Sequence, residues 1–341
     1  MEKIDFVVTW VDSNDPEWIK IYNHYRPETP IVNNARFRNW NLFRYWFRAV
    51  ERYAPWVNKV FLITNGKFPD WINPECEKLV LVKHSDYIPE KYLPTFNSNT
   101  IELNLGRIKE LSEHFVLFND DVFINAPVGP DYYFKDGLPC DYNLDSPYSN
   151  PKHTKDNNYG IDITMYCNVA ILNSHFKRKE VVRQAWRKWY GKHLWGKPLL
   201  LSLLMFGRDR FEHFTSFHIE QSMLKSIFQE VWEKEPEVLD RSCTRFRSDT
   251  NLNQYLIRYW QFATNKFCPL KRNGFSYEHY NKDILEDLRK VLLEERTYSV
   301  CINDNPHCSE KDFISVSEHI RESLEMKFPN PSIYEKTESS R

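Results

Sequence analysis

In the segment Phe118-Asn119-Asp120-Asp121, two adjacent carboxylates stand where an apolar run ends. Carboxylate oxygens are hard ligands, suited to a Mg²⁺ or Mn²⁺ ion that keeps several waters and binds substrate phosphates. An Asp pair at a strand end can equally do no more than cap the next turn. His218 and Arg247 add to the first reading, because each precedes an apolar pattern of helical spacing. Leu224, Ile227, Phe228, Val231 and Trp232 follow the histidine; Leu252, Tyr255, Leu256, Tyr259 and Trp260 follow the arginine. Helix N-termini attract phosphate. A guanidinium binds two phosphate oxygens at once, and an imidazole can take a proton from an attacking hydroxyl near neutral pH. Position alone leaves open whether the two residues are surface caps.

A second group is Lys177-Arg178-Lys179 with Arg183, Arg187 and Lys188. It reads as the solvated face of a helix or, with Trp186, Trp189, Trp195 and the Leu199–Phe206 run, as a surface resting on a membrane that holds a lipid-linked acceptor. The tryptophans, 11 in all, suit sugar stacking as well as a core.

These residues need a frame. Ile4 to Val11 is β-branched and aromatic and ends in the polar turn Asp12-Ser13-Asn14-Asp15-Pro16, the pattern of a strand feeding a loop. Leu42, Phe43, Trp46, Phe47, Val50 and Tyr53 recur at helical spacing over 39–53. Val60–Thr64, Leu79–Val82 and Phe115–Phe118 are short continuous apolar runs, as expected of strands covered on both faces. A helix is expected between the last two, over 98–114. The alternation predicts an α/β, Rossmann-like, mostly parallel sheet with flanking helices, whose ligands bind beyond the carboxyl ends of the strands, where Asp12 and Asp120 both fall.

The stretch 131–160 lacks periodicity and is expected to be a long loop near the site or a boundary between subregions. Helical patterns begin at Lys177 and continue at about 222–234, 251–263, 282–295 and 311–326, with a short strand at Tyr298–Ile302 that could rejoin the sheet. Residues 1–130 are therefore expected to form the α/β part and 131–175 a loop-rich connection. Residues 176–328 would be a helical part completing the active site, and 329–341 a frayed polar tail.

The 341 residues, 41% hydrophobic and 16% aromatic, can bury a sizeable core. A net charge of -1 offers no field for nucleic acid or an anionic membrane, so anion binding must be local. The cysteines at 76, 140, 167, 243, 268, 301 and 308 never form a Cys-x-x-Cys pair and suggest neither a zinc site nor a disulfide framework. With an N-terminus that enters a strand directly, they point to the cytoplasm. No apolar run approaches the roughly 20 residues of a membrane span.

Four ordered blocks resemble the Stealth family of polysaccharide phosphotransferases over nearly the whole chain. The first is Ile4 to Asp15. The second runs from Arg36-Phe37-Arg38 through Tyr53-Ala54-Pro55-Trp56-Val57, Ile63-Thr64-Asn65-Gly66, Leu93-Pro94-Thr95-Phe96-Asn97-Ser98 and Ile101-Glu102 to Asn119-Asp120-Asp121-Val122. The third is His218 to Lys225 with Arg245-Phe246-Arg247-Ser248, and the fourth is Cys301-Ile302-Asn303-Asp304. The sequence departs from the family at Glu220 and Ser222, where prolines are common, and at Gly106 beside Arg107, where a His is common.

The resemblance implies transfer of a sugar 1-phosphate from a UDP-sugar to a hydroxyl of a lipid-linked or polymeric glycan acceptor, releasing UMP. It further implies that Asp120, Asp121 and Asp304 hold Mg²⁺ or Mn²⁺, that Arg247 and Arg107 bind phosphate, and that His218 is the general base. Trp10, Asp12, Arg36, Arg38, Asn65, Asn97, Ser98, Arg245 and Asn303 would contact substrate. Of Arg245 and Arg247, Arg247 is favoured as the functional arginine. Nucleic acid is not an expected partner; peripheral contact with the inner face of the membrane is. The competing readings are a metal-dependent glycosyltransferase that releases UDP and a non-catalytic glycan-binding component of the assembly machinery.

Overall fold

The computed structural model describes residues 2–28, 40–147, 161–272, 274–277, 285–303 and 309–336. Arg36, Arg38, Asp304 and Cys308 lie outside the described residues. Strands β1 (Ile4–Thr9), β2 (Val60–Thr64), β3 (Leu79–Lys83) and β4 (His114–Asn119) run parallel in the order β4-β1-β2-β3, with Val8 level with both Leu62 and Phe118. Phe6, Val7 and Val8 are successive and all fully buried. Neighbouring strand residues point to opposite faces, so both faces of the sheet are covered, which is why these strands read as continuous apolar runs.

Helix α1 (Pro16–Tyr25) starts where the Asp15 carboxylate accepts a bond from the Glu17 N–H and Pro16 fills the first turn. Helix α2 (Phe43–Tyr53) buries Phe43, Trp46, Phe47, Val50 and Tyr53, the stripe expected from spacing. Short helices α3 (His84–Tyr87) and α4 (Ser98–Leu103) follow. The helix expected over 98–114 is therefore much shorter. The Asn104 amide turns back to the Thr100 carbonyl at 2.8 Å, a single 3-10 turn spans Leu105–Arg107, and the chain enters β4 at His114. Gly106 is pressed against the next layer, where an added Cβ would come within 2.5 Å of Phe228 Cβ. A His at that position would not fit without displacing Phe228.

The largest departure lies at 221–224. Helical spacing points to a helix from about 222, but Gln221–Leu224 is a strand antiparallel to β4, pairing Gln221 with Leu117 and Leu224 with His114. The helix begins at Lys225. The 131–160 stretch, described as far as 147, holds a helical turn at Pro130–Tyr133 and short strands at Phe134–Lys135, Leu138–Asp141 and Asp145–Ser146. Most of these residues are buried. An unanticipated helix at Ile161–His175 packs on the Tyr255–Ala263 helix. Its apolar residues are spread around it rather than gathered in a stripe, so no amphipathic pattern marks it.

The strand Ser299–Ile302 does not rejoin the main sheet; it pairs antiparallel with β5 (Val122–Ile124). Nor is the polar tail loose up to Lys336. Buried Arg48 on α2 forms a fork with the Glu335 carboxylate (2.7 and 2.9 Å) and donates to the Phe328 carbonyl at 2.8 Å, while Tyr334 is buried against Phe47. One cluster of buried side chains extends from Ile4 to Tyr334.

A second buried fork joins the helical half to the preceding segment: Arg258 Nε and Nη2 donate to the two Asp141 carboxylate oxygens at 2.7 and 3.0 Å, and Nη2 also reaches the Tyr142 carbonyl. Removing one member leaves a buried, unpaired charge. Asp141→Ala is expected to lower the unfolding free energy by about 3–5 kcal/mol in urea titration. Asp287→Ala, which breaks an exposed pair with Lys290, should leave the midpoint unmoved.

Candidate functional site

Three strand connections converge on the carboxyl edge of the sheet. The first is β4, whose end carries Asn119, Asp120 and Asp121. The second is the Gln221–Leu224 strand. Because it runs antiparallel to β4, the residues entering it lie beside the residues leaving β4, and His218 Nε2 sits 3.0 Å from the Asn119 amide nitrogen and 3.7 Å from Asp121 Oδ2. An amide nitrogen can only donate, so Nε2 receives with its lone pair. The third is Ser299–Ile302: the Ile302 N–H donates to the Asp121 carbonyl at 2.6 Å and sets Asn303 at the same opening.

The opening is a cleft of about 310 Å³. Its lining includes the aromatic rings of Trp10, Trp18, Trp40, Phe43 and Phe96; Trp10 lies parallel to Phe43 with ring centroids 5.7 Å apart. Polar groups of the lining include Ser98, Asp120, Asp121 and Asn303.

Arg247 reaches the cleft lining by hydrogen bonding to Ser98 Oγ. That contact depends on Asn97. Its buried side chain caps α4 by accepting from the Asn99 N–H, and its amide donates to the Thr244 carbonyl at 3.3 Å and to Asn251 Oδ1 at 3.2 Å. Thr100 Oγ1 and the Phe96 N–H bond to the carbonyls of Thr244 and Arg245, and Phe96 stacks on Phe246. Asn97 thus holds the 244–251 loop against α4. Arg245 is used by the scaffold, donating to the Pro94 carbonyl with its guanidinium 3.9 Å above the Tyr25 ring.

Other expected site residues are less central. Asp12 accepts from the Asn14 N–H and lies 3.9 Å from Lys67 Nζ, while its neighbours Val11 and Ser13 line the cleft. Exposed Asn65 accepts from the Lys67 N–H. Arg107 donates to Asn104 and stacks 4.5 Å over Trp232, so the structure binds it to the helical layer instead of the cleft lining. Glu220 and Ser222 are internal: Ser299 donates to Glu220 at 2.8 Å, and Arg272 lies 3.7 Å from Glu220 and donates to Ser222 at 3.0 Å.

Two residues of the site went unread in the sequence. Buried His84 lines the cleft with Nε2 unpaired among the described residues; burial pushes its pKa down to about 4, so the ring is neutral. Its place directly after β3, at the carboxyl edge, was the available signal. Glu102, buried on α4, is pushed up to about 7 by desolvation and by Asp121, against the pull of Arg247.

The aspartates share this environment. Desolvation and then the charge of Asp121 push Asp120 up to about 7, although its side chain keeps an open face through which water screens part of that effect. Asp121, the deeper of the two, is also raised, first by desolvation, with His218 opposing. Its Oδ1 is buried without a hydrogen-bond partner among the described residues. An orphaned carboxylate oxygen beside a second carboxylate fits a hard divalent cation. Asp121, His218 and Cys301 also offer one donor atom each within 4.8 Å of one another, a softer set that Cys301 would bias toward zinc.

Two conserved regions match the chain: Stealth protein CR1, conserved region 1, over residues 2–29, and Stealth protein CR2, conserved region 2, over residues 36–140. The capsular polysaccharide phosphotransferase WcwK of Streptococcus pneumoniae is 40% identical over 98% of this chain and 100% of its own length. The receptor polysaccharide phosphotransferase WefC of Streptococcus gordonii is 36% identical over 98% and 99%. The exopolysaccharide phosphotransferase cps2G of Lactiplantibacillus plantarum is 35% identical over 98% and 96%. The solved galactosyltransferase LgtC overlaps at a TM-score of 0.39 and 10% identity, covering 94% of this chain and 95% of that one, too loosely to carry an argument.

Glu102 makes stability depend on pH. Its folded value, about 7, lies above the ordinary 4.5, so the folded state holds the proton more tightly and stability falls as pH rises between those values. Glu102→Gln is expected to flatten that slope and to raise stability at pH 8 by up to about 3 kcal/mol. Urea unfolding at pH 5 and pH 8 in the presence of a chelator checks this; equal slopes for the two proteins would refute it.

Proposed function

Because the chain belongs to the Stealth family of polysaccharide phosphotransferases, we propose that it moves a sugar 1-phosphate from a UDP-sugar to a glycan hydroxyl during surface polysaccharide synthesis. The observation that carries this reading is one cleft lined by both flat aromatic rings and the carboxylates Asp120 and Asp121, with Arg247 bonded to Ser98 of its lining and His218 3.7 Å from Asp121. A nucleotide diphosphate sugar calls for the same two kinds of group: flat apolar surface for its base, and cations or their ligands for its two phosphates.

The acceptor oxygen attacks the β-phosphorus. A new bond forms between that oxygen and phosphorus, the bridging bond to the α-phosphate breaks, and UMP leaves. The product is a phosphodiester between two sugars. His218 Nε2, its lone pair already aimed at a donor, takes the acceptor's proton when the hydroxyl displaces the Asn119 amide. Arg247 binds the non-bridging oxygens as charge redistributes. Trp10 and Phe43 provide flat apolar surface for the base.

Asp120 and Asp121 would hold Mg²⁺ or Mn²⁺, whose chemistry here is to neutralise the diphosphate and the departing UMP. Cys301 then serves as a wall beside Asp121, since thiols are poor ligands for either ion. Asn97 and Ser98 set the position of Arg247.

Incubation with a UDP-sugar, a divalent ion and a hydroxyl acceptor is expected to release UMP and to produce a phosphodiester signal in ³¹P NMR. Release of UDP would instead establish glycosyl transfer. His218→Ala should lower kcat by roughly 10²–10⁴-fold with an unchanged circular dichroism spectrum; full activity would remove the base assignment. For the metal, Mg²⁺ or Mn²⁺ at 100 times its Kd should stabilise the wild type by about 2.7 kcal/mol and Asp121→Asn by much less. Equal stabilisation of the two proteins would place the ion elsewhere.

A further inference from the structure

Fifteen large apolar side chains are exposed among the described residues, and five of them fall between Trp195 and Phe206. Trp195 is 82% exposed, Phe206 77%, Leu200 66%, Leu204 61% and Leu203 45%. The Lys197–Leu203 helix is apolar on both sides. Leu199 and Leu201 pack downward onto a small separate core of Tyr142, Leu144 and Leu194, and Ser202 and Met205 are buried beneath. Its other residues face solvent. Monomeric proteins seldom expose such a cluster without a use for it.

The cluster is built and rigidly held. Gly196 and Gly207, at φ +89° and +78°, bracket it with left-handed turns that other residues adopt at a cost. From below, buried Arg178 ion-pairs with buried Asp145 and donates from Nη1 to the Met205 carbonyl at 2.7 Å, and its N–H donates to the Asp209 carbonyl at 2.8 Å. Exposed Arg187, Lys192, Lys197, Arg208 and Arg210 flank or interrupt the apolar residues along the chain; between residues 186 and 212 the acidic residues are Asp209 and Glu212, and Glu212 pairs with Arg208.

We propose that Trp195–Phe206 is a docking platform for an anionic lipid bilayer, with its apolar side chains entering the headgroup boundary and its basic rim meeting lipid phosphates. The rim decides between occupants. Two-fold pairing with a second copy would set like-charged rims against each other, whereas an anionic surface complements them. The whole-chain net charge of -1 cannot supply this attraction, so it is a property of the patch. Tyr142 beneath the platform also contacts the ring of Phe217, next to His218, so the docking face and the site share one small core. Docking does not rest on the proposed chemistry and is tested without turnover.

The full chain would be sedimented with phosphatidylcholine vesicles, with and without phosphatidylglycerol. Binding is expected for the anionic vesicles and should weaken with salt. Leu204→Ser combined with Phe206→Ser should reduce it roughly tenfold or more. Lys197→Glu and Arg210→Glu should each reduce it by about fivefold or more. All these residues are exposed, so thermal unfolding should be unchanged, as should turnover on a soluble acceptor. Failure of the wild type to sediment with anionic vesicles, or equal sedimentation of wild type and variants, would overturn the proposal. So would a concentration-dependent dimer that the Leu204 and Phe206 substitutions dissolve, which would assign the face to a second copy.

Discussion

The site rests on one backbone ladder, the antiparallel pairing of Gln221–Leu224 with β4. A parallel neighbour would carry its preceding loop to the opposite edge of the sheet, about four residues of strand away from Asp121. Antiparallel pairing reverses that, so the loop entering the added strand and the loop leaving β4 meet at the same end. His218, three residues before the strand, comes within 3.7 Å of Asp121 for this reason. The pairing also covers the β4 edge, which would otherwise present unpaired backbone groups.

Two further devices complete the arrangement from other directions. Asn97 joins α4 to the 244–251 loop through bonds in which one amide side chain serves as helix cap, donor to a carbonyl and partner of a second asparagine. The pairing of Ser299–Ile302 with β5 brings Asn303 to the opening. Each device uses buried backbone or amide groups whose loss would leave polar atoms unsatisfied, so each geometry is strongly specified. The buried arginine–carboxylate pairs at Arg48, Arg178 and Arg258 do the same for the tail, the apolar platform and the segment after β5. Such pairs add little net stability over an apolar core, but breaking one is costly, and that asymmetry fixes the positions of segments that lack strong local structure.

Electrostatics pull the other way. Asp120 and Asp121 line the opening, buried Glu102 lies close enough to feel Asp121, and Asp121 raises the pKa of both others. Without compensation this arrangement destabilises the free protein. A cation at the carboxylates, or Arg247 drawn in with a diphosphate, would offset the same repulsion and turn it into affinity for a charged ligand. On the proposed function the site would be less stable alone than occupied, as expected where function and stability compete.

Much of the frame was legible in the residues. Continuous apolar runs such as Phe6-Val7-Val8 announce strands buried on both faces, and the Phe43–Tyr53 stripe announces its helix, because side-chain periodicity is a local property of the chain. The same logic set Asp120-Asp121 at the carboxyl edge of a parallel sheet. What local pattern could not reveal were pairings between distant segments. Gln221-Ser222-Met223-Leu224 carries no alternation and adjoins a helical pattern, so only contact with β4 makes it a strand. Arg245 and Arg247 are equivalent in composition and spacing, and only the loop's docking against α4 turns one to Tyr25 and the other to Ser98. His84, Glu102 and the packed Glu335 belong to the same class. Their chemistry comes from burial and partners far away in sequence, which the tertiary structure alone decides.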